Sequence, residues 1–173
     1  DSRVSRGLGD VYKRQHIIKA KNDGNQVVVV VSAMSGETNR LMDLAKQIDS
    51  VPTARELDVL LSAGEQVSMA LLAMTLNKLG HAARSLTGAQ ANIVTDNQHN
   101  DATIKHIDTK TILGLLEQDQ IVIVAGFQGV NENGDITTLG RGGSDTSAVA
   151  LAGALRADEC QIFTDVDGIY TCD

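Results

Sequence analysis

Two kinds of hydrophobic pattern alternate along this chain. Val27–Val31 and Ile121–Ala125 are unbroken apolar runs rich in β-branched residues. With no polar residue to mark a solvent face, they predict strands buried on both sides of a parallel sheet. Ala82–Leu86, Ile93–Val94 and Gln161–Thr164 read as shorter strands. Between the strands, apolar residues recur at steps of three and four, the spacing of a helix face. Leu41, Leu44, Ala45 and Ile48 form one such stripe, and Leu57, Leu60, Leu61, Ser68, Leu71, Leu72 and Leu79 a second. Ile112, Leu115 and Leu116 form a third, and Ala148, Leu151, Ala152 and Leu155 a fourth. Residues 16–21 read as the end of a helix stopped by Asn22-Asp23-Gly24-Asn25. Strands alternating with helices predict a layered α/β domain with a mainly parallel sheet.

The punctuation between these elements carries the chemistry. Ser32, Ser35 and Thr38 follow the first buried strand directly, where open α/β sheets bind ligands; Ser35 and Thr38 read equally well as helix caps. Thr53 and Glu56 have the spacing of a capping box at the start of the long second helix. Gly64 interrupts that helix, predicting either a break or a close backbone approach. Glu65, next to it, is either a carboxylate facing a ligand amine or an exposed residue opening a second helical segment. Asn133-Gly134 predicts a hairpin between 128–130 and 136–138.

That hairpin leads into Thr138-Leu139-Gly140-Arg141-Gly142-Gly143-Ser144-Asp145, where three of the four positions 140–143 are glycines and lack a Cβ. Glycines let a ligand approach the backbone, and Ser144 is the expected N-cap of the helix that follows. A helix N-terminus favours phosphate or carboxylate, and a guanidinium binds either bidentately. The segment thus offers an anion cradle, a cation at Arg141 and a carboxylate at Asp145; the alternative is a glycine-rich turn with a solvated arginine.

Composition narrows the function classes. Aromatics make up only 2% of the 173 residues against 42% apolar, so the core must be aliphatic. A net charge of −7 with scarce stacking residues argues against a nucleic-acid surface. Cys160 and Cys172 have the spacing of neither a metal knuckle nor a redox pair and read as reduced thiols. The run Val27–Val31 is far too short to cross a bilayer, so no membrane association and a cytoplasmic location are expected. His99 and His106, with Asp96 and Asp101, form no compact ligand set and read as solvated loop residues, so no metal site is assigned to them. Asp108 is expected to cap the third helix.

Four motifs together resemble the aspartate kinases of the amino acid kinase family: VVVVVSAMSGET at 27–38, LLSAGEQ at 60–66, TTLGRGGSDT at 137–146 and TDVDGIYT at 164–171. The resemblance covers 16–173 nearly continuously and implies a three-layer αβα sandwich. It also implies ATP-dependent phosphorylation of the L-aspartate β-carboxylate to 4-phospho-L-aspartate, the first step towards lysine, methionine and threonine. Arg141 would hold the substrate α-carboxylate and Glu65 its amino group, with Thr38 and Ser144 also touching substrate and Asp145 ordering the phosphate side. Ser32, Gly142, Gly143, Thr164, Asp165, Tyr170, Thr171, Cys172 and Asp173 would meet the nucleotide. ATP and Mg²⁺ are the implied cofactors, and a homo-oligomer the implied state of the full-length protein.

The sequence departs from the family pattern in two ways. The opening Lys-Phe-Gly-Gly-Thr-Ser strand, whose lysine reaches the transferred phosphate, has no counterpart; Lys13 and Lys19 lie in the wrong context. Residues 1–15 are unlike the family and are expected to be a foreign leader before a partial catalytic domain at 16–173. The family's Pro-Arg continuation, later nucleotide segment and regulatory domains are also missing, so the expectation is a fragment inactive by itself, with exposed sheet edges. A non-catalytic module binding an anionic metabolite is the alternative. A dinucleotide-binding oxidoreductase fits less well, because the glycine loop follows a hairpin and no acidic residue stands about 20 residues beyond it.

Overall fold

The computed structural model describes residues 13–140, 142–156, 160–164 and 168–172, the last two segments as backbone. Helix α1 occupies 13–22. It is followed by β1 (Val28–Val31), α2 (Glu37–Ile48), α3 (Ala54–Lys78), β2 (Ala83–Leu86), β3 (Ile93–Thr95) and β4 (Ile104–Ile107). The chain continues with α4 (Lys110–Glu117), β5 (Ile121–Ala125), β6 (Gln128–Val130), β7 (Ile136–Thr138), α5 (Gly143–Leu155), β8 (Cys160–Thr164) and β9 (Gly168–Cys172).

Five strands form the main sheet in the order β2-β5-β1-β8-β9. All neighbours are parallel except the β8–β9 pair, in which Cys160 stands opposite Cys172. Side chains alternate faces along a strand, so each buried run feeds two cores. Val30, Val122 and Val124 point to the side packed by Ile112, Leu115, Leu116, Ala148 and Leu151 of α4 and α5. Val29, Val31, Ile121, Ile123 and Ala125 point to the other, packed by Ile17 of α1 and Met69, Ala73 and Leu76 of α3. Helix layers on both faces give the expected three-layer sandwich.

A second sheet, in the order β4-β3-β6-β7, was not visible in the hydrophobic pattern. It is mixed, with β3–β6 parallel and the other two pairs antiparallel. β4 went unrecognised because it exposes Lys105 and His106 and only half-buries its two isoleucines. Pairing with β3, rather than an apolar run, makes it a strand. The predicted Asn133-Gly134 hairpin joins β6 and β7, with Gly134 at φ 81°.

Helix α3 links the sheets. Its amino-terminal half packs on α2 and β7, and its carboxyl-terminal half on the parallel sheet. By length and composition it could cross a membrane, yet its buried face carries Asp58, Ser62 and Glu65 among strands and helices of this domain. The expected break at Gly64 does not occur: the helix runs through all 25 residues. The close approach does occur, since a Cβ at Gly64 would lie 2.9 Å from that of Ala33, just beyond β1. The packing phase also differs from the leucine pattern. Leu71 and Leu79 are exposed, while Met69, Ala73 and Leu76 turn inward. On α2 only Leu41 and Ala45 are buried, and Ile48 is 90% exposed, because that short helix packs chiefly on α3.

Helix ends rely on backbone conformation. Gly36 and Gly142, at φ 80° and 82°, take the N-cap positions of α2 and α5. Ser35, Thr38 and Ser144 are therefore not the caps. Thr53 is the N-cap of α3, but no side-chain bond completes the expected capping box. Asp108 accepts the Lys110 N–H at 3.0 Å, one residue before the α4 N-cap, Thr109.

Candidate active site

Three elements converge at the carboxyl end of the parallel sheet. β1 ends at Val31, and Ser32–Met34 pass over Gly64 of α3. β5 ends at Ala125, and the N–H of the next residue, Gly126, donates to Val31 O at 3.0 Å. Helix α5 begins directly above, and a Cβ at Gly126 would lie 2.9 Å from Ser144 Oγ. The parallel pairing of β1 with β8 brings Thr164, at the end of β8, to the same edge.

Glu65 sits beneath the β1 loop and is only 3% exposed. Burial pushes its carboxyl up to about 7, opposed in part by the backbone amides of Glu65 itself and Ala33. Among the described residues its Oε2 has no hydrogen-bond partner. Leaving a buried carboxylate oxygen unpaired is costly, so the site is poised for a cationic or protonated donor. The buried position overturns the alternative of an exposed residue starting a new helix. Gly64 explains how it is buried, because only a residue without Cβ lets α3 approach the Ala33 methyl group this closely.

The glycine loop is shaped by close contacts. Gly143 opens α5 with the Phe127 ring against its Cα, where a Cβ would collide with the ring. Phe127 itself adopts φ 69°, uncommon for a bulky side chain. Ser147 holds it there, accepting the Phe127 N–H at 3.0 Å while donating to Gly143 O at 3.2 Å. Among the described residues no side chain caps α5, whose first turn carries Asp145, exposed. The loop's backbone is therefore open to an anion at the positive end of the helix dipole.

The remaining expected residues are placed as follows. Ser32 is half-buried at the mouth of the β1 loop and Thr38 is exposed in the first turn of α2. Beside Thr38, Arg40 binds Glu37 at 2.7 Å and, by that hydrogen bond, holds the Glu37 carboxyl below its usual range. Tyr170, Thr171 and Cys172 lie on β9, next to β8. Arg141, Asp165 and Asp173 lie outside the described residues. The structure thus gathers Ser32, Glu65, Gly142, Gly143 and Ser144 at one sheet end, with Asp145 in the same helix turn.

Sequence reasoning missed Phe127 and the carboxylate Asp58, which is completely buried. It also misplaced His99, read as solvated. His99 is half-buried, with Nδ1 2.7 Å from Asp58 Oδ2, because the 96–101 loop folds back onto α3. The signal for Asp58 was its place between Leu57 and Leu61, a polar residue in a buried helical phase.

A parallel sheet with a glycine-rich helix N-terminus and a buried acid at its carboxyl end defines the chain as an α/β protein of the kind that binds ligands beyond its strand ends. The profile of the amino acid kinase family matches residues 9–173, and the chain belongs to that family. Within it, the chain is similar to the aspartate kinase of Pseudomonas putida, with 60% identity over 159 residues, 92% of this chain and 39% of the relative. The chain therefore spans about two fifths of the length of that relative. Among solved structures it superposes on the aspartate kinase of Synechocystis with a TM-score of 0.71 at 46% identity, covering 90% of this chain and 25% of that one. It also superposes on aspartokinase III of E. coli in complex with aspartate and ADP, with a TM-score of 0.70 at 25% identity, covering 89% of this chain and 46% of the other.

Proposed function

We propose that this chain carries the aspartate-binding half of an aspartate kinase, an enzyme that transfers the γ-phosphoryl group of ATP to the β-carboxylate of L-aspartate. The observation that carries the reading is the buried Glu65 carboxylate, whose Oε2 has no partner among the described residues. A substrate ammonium there would supply the missing donor and return Glu65 to its charged form. The substrate α-carboxylate would then pair with Arg141. A β-carboxylate oxygen attacks the γ-phosphorus, the bond from that phosphorus to the ADP oxygen breaks, and 4-phospho-L-aspartate and ADP leave. Such transfer depends on positioning and charge neutralisation rather than on a protein nucleophile.

The uncapped α5 terminus and the glycines at 142 and 143 fit a phosphate group, and Thr164 with the β9 residues would meet the nucleotide. Mg²⁺ is commonly held by one or two carboxylates together with substrate phosphates, and Asp145 is the acid present for that role. When bound, the ion would neutralise phosphate charge. The protein works in the cytoplasm, and its full-length form is a homo-oligomer in this reading.

The test is to splice residues 16–173 in place of the matching segment of the Pseudomonas putida relative and to follow ATP-dependent formation of acyl phosphate, trapped with hydroxylamine. Activity with L-aspartate and not L-glutamate is expected. Activity on neither amino acid, from a folded protein that binds ATP, would overturn the substrate and leave an anionic-metabolite module as the better reading.

A further inference from the structure

Asp58 is completely buried, yet the carboxylate is surrounded by donors. Oδ1 accepts the Asn100 N–H at 3.1 Å, the Asn100 side-chain amide and the Thr138 hydroxyl. Oδ2 faces His99 Nδ1 at 2.7 Å and shares the Asn100 N–H at 3.2 Å. A carboxylate has about four acceptor sites, and four donor groups fill them. These donors come from two separate segments, the 96–101 loop and the end of β7.

Thr138 is the last residue of β7 and stands two positions before Gly140 of the glycine loop. Its carbonyl accepts the Ala102 N–H at 3.0 Å, and the next residue, Leu139, donates to Phe127 O at 2.9 Å. The Asp101 carboxylate occupies the place a Cβ on Gly140 would take. Asp58 also lies seven residues before Glu65 on α3, about 10 Å along the axis and on the same buried face. One side chain therefore ties the helix that carries Glu65 to the strand that launches the glycine loop.

We infer that Asp58 is a positioning residue: by clamping Thr138 and Asn100 to α3, it sets the glycine loop at a fixed separation from Glu65. On the aspartate reading, on which its effect on turnover rests, the clamp keeps the groups for the substrate's ammonium and α-carboxylate in register. At this end of β7 Asp58 and Thr138 are both buried, so the clamp is shielded from water and holds without ligand.

Hydrogen exchange and kinetics on the spliced protein test it, with Asp58→Asn, Thr138→Val and Thr138→Ser. Asparagine turns one acceptor into a donor facing donors, valine removes only the Thr138 hydroxyl, and serine keeps it. The amides of Ala102, Leu139 and Gly143 are expected to exchange at least about tenfold faster in the first two variants and at the unaltered rate in Thr138→Ser, while amides of β5 stay protected. The KM for aspartate is expected to rise on the order of tenfold to a hundredfold in the same two variants, with the KM for ATP changing much less. Uniform acceleration of all core amides, or equal rises in both KM values, would reduce Asp58 to a general stability residue and overturn the proposal. Faster exchange at 102, 139 and 143 in a protein without aspartate-dependent activity would uphold the clamp and overturn the substrate reading instead.

Discussion

Helix α3 buries two carboxylates seven residues apart and treats them in opposite ways. Asp58 has every acceptor site filled from within the chain, whereas Glu65, also buried, has one oxygen with no partner among the described residues. A protein gains nothing in stability from an unsatisfied buried acid. The saturated carboxylate organises the fold, and the unsatisfied one is kept for something that arrives from outside. Depth of burial is the same for both, so burial alone does not separate structural from ligand-binding acids; satisfaction does.

The largest expected effect comes from deleting the saturated member. Asp58→Ala strands its donors without an acceptor and is expected to destabilise the protein by about 3–5 kcal/mol, read from urea unfolding. A cost below about 1 kcal/mol would erase the contrast between the two acids.

Glu65→Gln acts in the other direction on stability. With the carboxyl raised to about 7, the folded protein holds a proton that the unfolded chain releases near the ordinary value of 4.5. Stability from this group is full below pH 4.5, falls as pH rises towards 7, and stays low above it. The variant is expected to be more stable than the original at pH 8 by up to about 3 kcal/mol and nearly equal at pH 4. Aspartate affinity should meanwhile fall at least about tenfold, consistent with loss of a charge-assisted bond. A variant less stable at pH 8 would show that Glu65 is satisfied internally after all.

Gly64→Ala probes how Glu65 reaches its place. The added Cβ would sit 2.9 Å from that of Ala33, so packing strain of about 1–3 kcal/mol opposes the helix propensity gain of about 1 kcal/mol. A net loss of about 1 kcal/mol with weaker aspartate binding is expected from thermal unfolding and titration. The smallest effect sharpens the comparison calorimetrically. Aspartate binding near pH 7 should expel about half a proton from Glu65, visible as a dependence of binding heat on buffer ionisation enthalpy. The same measurement on Glu65→Gln should show none.

Much of this molecule was legible in its residues. The apolar runs of β1 and β5, the Asn133-Gly134 hairpin and the helical spacing of α4 and α5 are local signals, and all became the expected elements. The glycine loop opening α5 and the special character of Gly64 were equally plain, since absent Cβ atoms constrain a backbone whatever surrounds it. Other features depended on partners distant in sequence. β4 exists because β3 pairs with it, and His99 is half-buried because α3 offers Asp58 from 41 residues away. The leucine stripe misjudged Leu71 and Leu79, because the inward face of α3 is set by two sheets that it must touch at once.

The sequence by itself determined the element types, the parallel core and the motif set that marks the amino acid kinase family, since those rest on side-chain periodicity and backbone permissiveness within a few residues. Only the tertiary structure decided which acid is satisfied and which is left open. That outcome depends on where donors from β7 and the 96–101 loop fall around α3, and no local pattern specifies the meeting of segments 40 to 80 residues apart.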